Sequence, residues 1–517
     1  MTTTSAAPPT FAVDDEGTLL ATDKRAQRNI LIAMCTSLVA VVASVSGLNV
    51  AQEAMARDLG ATQSGVLWII NAYTLALAAL LLPVGAIGDR WGRKPVLLTG
   101  LTVFGLANVL APMAQSTGMM IAIRALAGIG AAMIMPVTLS VVTSSFPPED
   151  RARAIGVWAG FAGSGGMIGL FVSAAMVDVL TWRWVFALPL VLVAVGATMT
   201  ARYAPNSREH THHNFDTLGS ILSAIAIGGV VLGFHEGPEL GWTDVITVTA
   251  LVAAVIALVA FVAWERRHVN PLLDISTFRD RGLASGTVTL TIVFAVMFGI
   301  FLVLFPYFQA VVGWSALKSA AGMLPMALMM MPMSTVAPKI AQRFGSRNTM
   351  LTGVVIFSLG LVTLALRASV EGGYLSVLPG LLGIGLGMGL TMTPATAAIT
   401  ETLPQDKQGV ASALNDTSRE LGGAIGMALL GSVLSSAFRS NMREALVGYP
   451  PELVNPASEG IATAAGVAQQ AGEAGVPIFE AAKHAFVDAW VQSMWVGVAV
   501  SAVAAAFLLL RGPKRAK

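Results

Sequence analysis

The chain has 517 residues, of which 55% are hydrophobic and only 12% are charged, and its mean hydropathy is +0.72. A soluble protein of this length carries roughly twice that charged fraction, so the composition excludes a soluble globular domain and predicts a polytopic membrane protein. The formal net charge of +2 identifies no partner, and we expect no nucleic-acid binding. The single cysteine, Cys35, excludes an internal disulfide and a cysteine-based metal site.

The N-terminal 27 residues are polar and acidic and lack the basic-then-apolar order of a signal peptide, which predicts a cytoplasmic tail. Further along, His210, His212 and His213 lie in a polar loop, where a solvated cluster is favoured over a metal site. The sequence contains no phosphate-binding loop. We therefore expect no metal, no cofactor and no ATP-driven step.

Apolar runs long enough to cross a membrane, about 20 residues each, occur fourteen times. The predicted spans are 29–51, 65–87, 95–114, 118–143, 152–177, 183–203, 217–234, 243–264, 283–308, 318–341, 349–367, 374–400, 409–437 and 486–510. The predicted fold class is an all-α membrane protein whose helices are surrounded by the lipid bilayer.

An internal repeat divides the chain. GAIGDRWGRK at 85–94 returns as PKIAQRFGSR at 338–347, and Pro136 corresponds to Pro394. The offset of about 257 residues exceeds the roughly 175 residues that six helices occupy, so two helices are inserted between two six-helix halves. The predicted divisions are a cytoplasmic tail at 1–28, an N-terminal six-helix bundle at 29–203, a linker with two inserted helices at 204–282, a C-terminal bundle at 283–511 with an extracytoplasmic loop at 440–484, and a cytoplasmic tail at 512–517.

The distribution of positive charge predicts the orientation. With both termini on one side, 22 of the 31 Lys and Arg residues fall on that side, 7 fall on the other, and 2 lie inside predicted spans. Because Lys and Arg are enriched in cytoplasmic loops, both termini are predicted to be cytoplasmic.

The turn between the second and third predicted spans carries the most distinctive residues in the chain. Gly85 and Gly88 lack side chains at helical spacing, which lets a neighbouring helix approach closely, and Gly92 permits a tight reversal. Asp89 is a carboxylate at the membrane edge that can pair with a nearby arginine or a neighbouring helix terminus. An ordinary positively charged loop would explain the cations but not the glycines and the acid. The predicted gating residues are Gly85, Gly88, Asp89, Arg90, Gly92, Arg93 and Lys94.

These residues resemble the signature loop between helices 2 and 3 of the major facilitator superfamily, where the loop helps to hold the cytoplasmic side shut in one conformation. Residues 68–94 and the fourteen-helix pattern resemble the drug:proton antiporter branch of that family, the multidrug efflux type. Arg124 is similar to the arginine of the family's helix 4 motif, with Ala127 in place of the usual glutamine. The resemblance implies two six-helix bundles plus two inserted helices and alternating access. It also implies proton-driven export of hydrophobic or cationic small molecules through a bacterial plasma membrane, and we expect a monomer.

Two further features depart from the branch. Ser44 stands where helix 1 usually carries an aspartate, and residues 169–174 read GLFVSA, without the proline and paired glycines of the usual helix 5 signature. Another acid must therefore titrate if the protein is proton-driven. Asp416 and Glu420 lie four residues apart on one face of the thirteenth span, and Glu420 is predicted to be the deeper and more easily protonated acid. The candidates for proton coupling are Glu420, Asp416, Glu53, Arg124 and Arg419, although Glu53 is equally well interpreted as an interfacial acid in water.

Aromatic and thioether side chains form stripes along the ninth and tenth predicted spans, which suits hydrophobic and loosely specified substrates. Lipid-facing or helix-packing surfaces produce the same pattern, because membrane helices are apolar all round. The candidates for a substrate cavity are Asn49, Tyr73, Phe298, Phe301, Phe305, Met326 and Met330.

Two other functions stay open at this point. The first is transport of a lipid, siderophore or secondary metabolite with altered or no proton coupling, and the second is a non-transporting sensor with the same fold. The loss of the helix 1 acid and the altered helix 5 signature favour these alternatives. The intact loop at 85–94 favours a working transporter.

Overall fold

The computed structural model describes residues 11–13, 19–207 and 215–513, so the three linker histidines lie outside the described residues. Within this part of the chain, fourteen helices are long and apolar enough to cross a membrane, which confirms the predicted number. A short antiparallel pair of strands precedes them, β1 (Phe11–Val13) and β2 (Leu19–Ala21), with Phe11 opposite Ala21.

The spanning helices follow the predicted order. In the first part of the chain they are α1 (Lys24–Leu59), α2 (Gln63–Trp91), α3 (Arg93–Leu110), α4 (Thr117–Ser145), α5 (Pro148–Val179), α6 (Ala187–Tyr203), α7 (Thr217–Leu240) and α8 (Val245–Glu265). They continue with α9 (Arg281–Pro306), α10 (Ala316–Phe344), α11 (Ser346–Arg367), α12 (Gly373–Thr400) and α13 (Gln408–Ala445). Two short helices, α14 (Pro451–Ala457) and α15 (Ile461–Gln470), precede the last spanning helix, α16 (Val476–Arg511).

Several helices extend beyond the predicted spans, because a helix ends at its caps whereas hydropathy marks only its apolar part. α1 begins five residues early at Lys24, after Asp23 whose side chain accepts a hydrogen bond from the Arg25 amide. After its last residue, Leu59, the helix is capped by Gly60, which has a φ of 60° in the left-handed region. α16 begins at Val476, well before the predicted start at 486.

The long loop predicted at 440–484 holds ordered structure. The last turns of α13 extend into it, and α14, α15 and a 3-10 turn at Gly472–Gly475 follow. α15 packs on α16 and buries Ile461, Ala464 and Ala468, whose three-to-four-residue spacing places them on one face.

Contacts divide the chain into two compact units. The first comprises residues 1–228, 253–287 and 396–417. In this unit α4 packs on α2 and α3, while α1 packs on α5 and α6. Glycines allow the closest approaches, since Gly128 lies against the backbone of Tyr73 and Gly169 lies against Ala43.

The second unit comprises residues 229–252, 288–395 and 418–517. In it α11 packs on α16, and α13 packs on α9 through Gly422 and Gly426, which touch the backbone of Thr291 and Ala295. These units follow spatial contacts, and the division into two six-helix halves with an inserted pair stays a prediction.

The internal repeat has a counterpart in the backbone. Gly92 joins α2 to α3 with a φ of 106°, and Gly345 joins α10 to α11 with a φ of 89°. Both angles lie in a region that side-chain-bearing residues avoid, so each turn depends on its glycine. Pro136 and Pro394 likewise lie inside the matching helices α4 and α12.

Buried carboxyl groups tie the start of α7 to the end of α8. Asp216 accepts hydrogen bonds from the Gly219 amide at 2.8 Å and from Nε1 of Trp264 at 2.9 Å. Glu265 accepts a hydrogen bond from the Leu273 amide at 3.3 Å. These bonds fix the adjoining ends of α7 and α8 to the segment that leads into α9.

Replacing Gly426 with valine is expected to destabilise the protein strongly. A side chain there would collide with the backbone of Ala295, which cannot move aside as a flexible side chain could. Overpacking of this kind costs about 1–3 kcal/mol or more. The measurement is the thermal unfolding midpoint of the purified protein in detergent. Gly466→Val is the matched control, because no heavy atom lies within 4 Å of a Cβ at Gly466. Equal midpoints for the two variants would contradict the close packing of α9 and α13.

Candidate transport site

Asp89 lies at the centre of a buried cluster near the end of α2. Its carboxylate, only 3% exposed, accepts hydrogen bonds from Nη2 of Arg93 at 2.6 Å and Nε of Arg93 at 3.1 Å. It also accepts bonds from the amides of Gly409 at 2.8 Å and Val410 at 3.1 Å. These amides belong to the first turn of α13, where the free N–H groups and the helix dipole favour a negative charge. We call Asp89, Arg93, Gln405, Gly409 and Val410 the Asp89 cluster.

Arg93 joins this cluster to two further segments. Its Nη2 donates to the carbonyl oxygen of Gln405 at 3.1 Å, and its Nη1 donates to Oγ of Ser207 at 3.2 Å. The guanidinium group is 2% exposed, so the ion pair with Asp89 is shielded from water. Removing one partner of such a buried pair costs about 3–5 kcal/mol, because the other charge is left uncompensated.

The glycines of the loop make room for these contacts. A Cβ at Gly85 would lie 2.7 Å from Cβ of Ala413 and would also strike the carbonyl oxygen of Gly409. A Cβ at Gly88 would lie 3.3 Å from Val137 in α4. The close helix approach expected at Gly85 is therefore present, with the N-terminal part of α13 as the neighbour.

The remaining cations of the loop lie outside the cluster. Nζ of Lys94 donates to the carbonyl oxygen of Ala201 at 2.8 Å, near the end of α6. Arg90 is exposed. The sequence left open whether Asp89 pairs with an arginine or a helix terminus, and the structure shows that it does both, with Arg93 as the arginine.

Arg124 is buried in α4 and is 2% exposed. Its guanidinium carbon lies 4.2 Å from the centre of the Tyr73 ring, which is a cation–π contact with α2. Its Nε has no hydrogen-bond partner among the described residues. A side chain buried in this way does not extend to the membrane surface, and a buried cation in a spanning helix is typical of a functional site.

Replacing Arg124 with alanine is expected to abolish transport, whereas Arg124→Lys should retain part of it. Lysine keeps the positive charge beside the Tyr73 ring, while alanine removes both the charge and the contact. The measurement is the initial rate of substrate export at equal membrane expression. Arg202→Ala, at an exposed position in α6, serves as the control. Near-normal rates for both Arg124 variants would contradict a role for this charge.

The first half of α13 carries a buried polar cluster. Asp416 has no exposed surface, and its Oδ1 accepts a hydrogen bond from Nδ2 of Asn415 at 3.0 Å. Oδ1 of Asn415 in turn accepts a bond from Oγ1 of Thr396 at 2.8 Å. Glu420 is less deeply buried than Asp416. Asp416 is therefore the more enclosed of the two acids, whereas depth along the helix had favoured Glu420 as the coupling acid.

The other coupling candidates are placed as follows. The Arg419 guanidinium carbon lies 4.7 Å from the centre of the Phe294 ring in α9, and Arg419 is 5% exposed. Ser44 is buried at 3% exposure. The side chain of Glu53 lies outside the described part of the chain.

The cavity candidates differ in their exposure. Tyr73 is fully buried beside Arg124, and Asn49 is exposed in the second half of α1. Met326 and Met330 are fully buried, and the backbone of each contacts a glycine of α12. These contacts favour helix packing over cavity lining as the interpretation of the methionine stripe. The three partly exposed phenylalanines of α9 are Phe298, Phe301 and Phe305.

Several contacts of the site could not be predicted from the sequence. The carbonyl oxygen of Gln405 and the hydroxyl of Ser207 both bind Arg93, and Phe294 lies beneath Arg419. The only sequence signal for them was the stripe of aromatic side chains along the ninth span, to which Phe294 belongs, and that stripe does not indicate a cation as partner.

The site can be compared with known proteins. Residues 32–427 match the Major Facilitator Superfamily. The multidrug resistance protein Stp of Mycobacterium tuberculosis is 30% identical over 431 residues, which cover 83% of this chain and 80% of the relative. The multidrug efflux pump LfrA of Mycolicibacterium smegmatis is 30% identical over 459 residues, which cover 88% of this chain and 89% of the pump. The methyl viologen resistance protein SmvA of Salmonella typhimurium is 31% identical over 489 residues, which cover 93% of this chain and 96% of that protein.

Solved structures agree with the fold. The proton:xylose symporter XylE aligns with a TM-score of 0.61 at 12% identity, covering 95% of this chain and 96% of the symporter. The human organic anion transporter MFSD10 aligns with a TM-score of 0.59 at 13% identity, covering 92% of this chain and 99% of that transporter. The match over most of the length, the fourteen spanning helices and the loop at 85–94 together show that the chain belongs to the Major Facilitator Superfamily, a family of membrane transporters and not of enzymes.

Proposed function

We propose that the protein is a secondary active transporter that exports hydrophobic or cationic small molecules across a bacterial plasma membrane, driven by the proton gradient. One observation carries the proposal. Relatives that match 83% to 93% of this chain are named as a multidrug resistance protein, a multidrug efflux pump and a methyl viologen resistance protein. Both termini lie in the cytoplasm, as the asymmetry of Lys and Arg supports, and the transporter acts as a monomer.

The Asp89 cluster is the cytoplasmic latch of this transporter. The carboxylate binds the first turn of α13 through two backbone amides, and Arg93 neutralises it in a shielded environment. Alternating access requires contacts that form in one conformation and break in another. A buried ion pair on a helix N-terminus suits this task, since it is stable when intact and exchanges its partners for water when the loop opens.

Proton coupling depends on the acids of α13. Ser44 cannot titrate, and Asp416 is a fully buried carboxyl group one helical turn from Glu420. We propose that one of these two acids carries the proton during the transport cycle. Cycling of that proton between the two sides of the membrane would drive the substrate outward.

The partly exposed phenylalanines of α9 supply the apolar surface for the substrate. Phe298, Phe301 and Phe305 recur at helical spacing. The ring centre of Phe298 lies 6.3 Å from the ring centre of Phe294, whose ring contacts Arg419. Aromatic faces bind hydrophobic molecules and cations without demanding one shape, in keeping with a broad substrate range.

Cells that lack their own efflux pumps and express this protein provide the test. We expect them to accumulate less of a hydrophobic cationic dye than cells with the empty vector, and to lose this advantage when an uncoupler collapses the proton gradient. A hydrophilic anionic dye of similar size serves as the control substrate. Equal accumulation of the cationic dye with and without the protein, at verified membrane expression, would contradict the proposal.

The altered helix 1 and helix 5 positions favour a second candidate, the export of a lipid, siderophore or secondary metabolite with altered or no proton coupling. Ser44 and the stretch at 169–174 lack the acid and the proline of the related antiporters. In the same assay this candidate predicts no dye export, or export that survives the uncoupler. A sensor with the transporter fold would move no compound at all.

A further inference from the structure

A cavity of about 620 Å³ lies between the far end of α13 and the turn that joins α7 to α8. One wall is a face of α13 that carries Ser432, Ser436, Arg439 and Arg443, which recur at three-to-four-residue spacing. The facing wall is the glycine-rich turn with Trp242. All of these residues belong to the second compact unit. The volume is that of an ordinary small-molecule pocket.

The wall formed by the turn is held in place by packing. The Trp242 ring meets the Phe234 ring edge-on at a centroid distance of 5.8 Å. Gly237 leaves room for it, because a Cβ there would lie 2.7 Å from the indole. The indole is 45% exposed, and tryptophan at the end of a spanning helix is typical of the headgroup layer.

The charge in the cavity is entirely positive. None of the ten residues that line it is acidic, and two of them are arginines. Neither arginine forms an ion pair with any residue that the structure describes, although ion pairs at Lys24 and Arg183 show that exposed cations elsewhere do find partners. Four serine hydroxyls and the two guanidinium groups offer hydrogen-bond donors to an anion.

The position along α13 identifies the layer of the membrane. Arg439 and Arg443 lie in the C-terminal part of α13, and the facing residues lie at the C-terminal end of α7. Both helices are long and apolar enough to cross a membrane, so a cavity at their ends falls at the level of the lipid headgroups. We propose that this cavity binds the phosphate headgroup of an anionic lipid at that level.

Native mass spectrometry of the purified protein tests this, with phosphatidylglycerol and phosphatidylcholine of identical acyl chains added in turn. We expect the parent protein to retain phosphatidylglycerol, and Arg439→Gln/Arg443→Gln to retain it about tenfold less. The control, Lys318→Gln/Arg367→Gln, removes two exposed cations that do not line the cavity and should retain the lipid as the parent does. If the double variant does not purify, Arg443→Gln alone and Arg439→Lys/Arg443→Lys test the same contact.

Three results would overturn the proposal. The first is equal retention by the parent and the Arg439→Gln/Arg443→Gln variant, and the second is equal retention of phosphatidylcholine and phosphatidylglycerol by the parent. The third is saturable binding of inorganic phosphate without retention of phosphatidylglycerol, which would assign the cavity to a free anion. None of these readouts depends on transport, so they are separate from a failure of the proposed export function.

Discussion

Asp89→Asn is expected to leave the protein inserted in the membrane but to reduce transport to a few per cent of the parent rate. Asparagine removes the charge that neutralises Arg93 and faces the amides of Gly409 and Val410 with a weaker acceptor. Breaking a buried pair on one side costs about 3–5 kcal/mol, which shifts a conformational equilibrium by a hundredfold or more. The initial rate of dye export in inverted vesicles, normalised to the amount of protein, is the measurement.

The repeat supplies a matched control for this experiment. Gln342 occupies the position of Asp89 in the second copy of the loop and is exposed, so Gln342→Ala should export at nearly the parent rate. A second variant, Asp89→Asn/Arg93→Gln, removes both charges and should recover part of the lost rate, since no uncompensated charge is left. Normal export by a well-expressed Asp89→Asn protein would show that the Asp89 cluster is not a latch.

The second large effect is expected in α13. We predict that Glu420→Gln and Asp416→Asn each abolish export driven by the proton gradient while leaving substrate binding intact. Each amide has the shape of the acid but cannot exchange a proton. Glu53→Gln should have a milder effect, because an acid at the membrane interface is hydrated with or without a partner.

Measuring proton flux and substrate flux together distinguishes an acid that couples the two movements from an acid that only binds the substrate. In proteoliposomes the parent should couple proton movement to substrate movement across a series of pH values. A coupling variant should still bind the substrate, as measured by fluorescence titration, but its export should no longer depend on pH. If Glu420→Gln pumps as well as the parent with an unchanged pH profile, Glu420 does not carry the proton. The same outcome for Asp416→Asn as well would exclude α13 as the coupling helix.

Much of the fold could be predicted from the sequence, since a membrane crossing requires about 20 apolar residues and each run shows this directly. The ends of the helices were harder to predict from the sequence. α1 starts at a cap provided by Asp23 and α13 continues into the segment predicted as a loop, because polar turns outside the membrane extend a helix without any hydropathy signal.

The site was predictable in its residues but not in its pairings. Asp89 and Gly409 are 320 residues apart, and no local pattern reports a contact at that separation. Arg124 and Tyr73 were both selected, but the cation–π contact between them depends on how α2 packs on α4. The paired arginines of α13 resembled ordinary loop charges, since the cavity beside them exists only once the turn before α8 folds against that helix.

We propose that this chain exports hydrophobic or cationic molecules by exchange with protons. The most direct test uses the purified protein in liposomes of defined orientation, loaded with a pH-sensitive dye and supplied with a hydrophobic cation. An imposed proton gradient should drive the cation against its own concentration gradient, and adding the cation should in turn accelerate proton movement. Uptake of the cation that neither responds to the proton gradient nor moves protons would contradict the account.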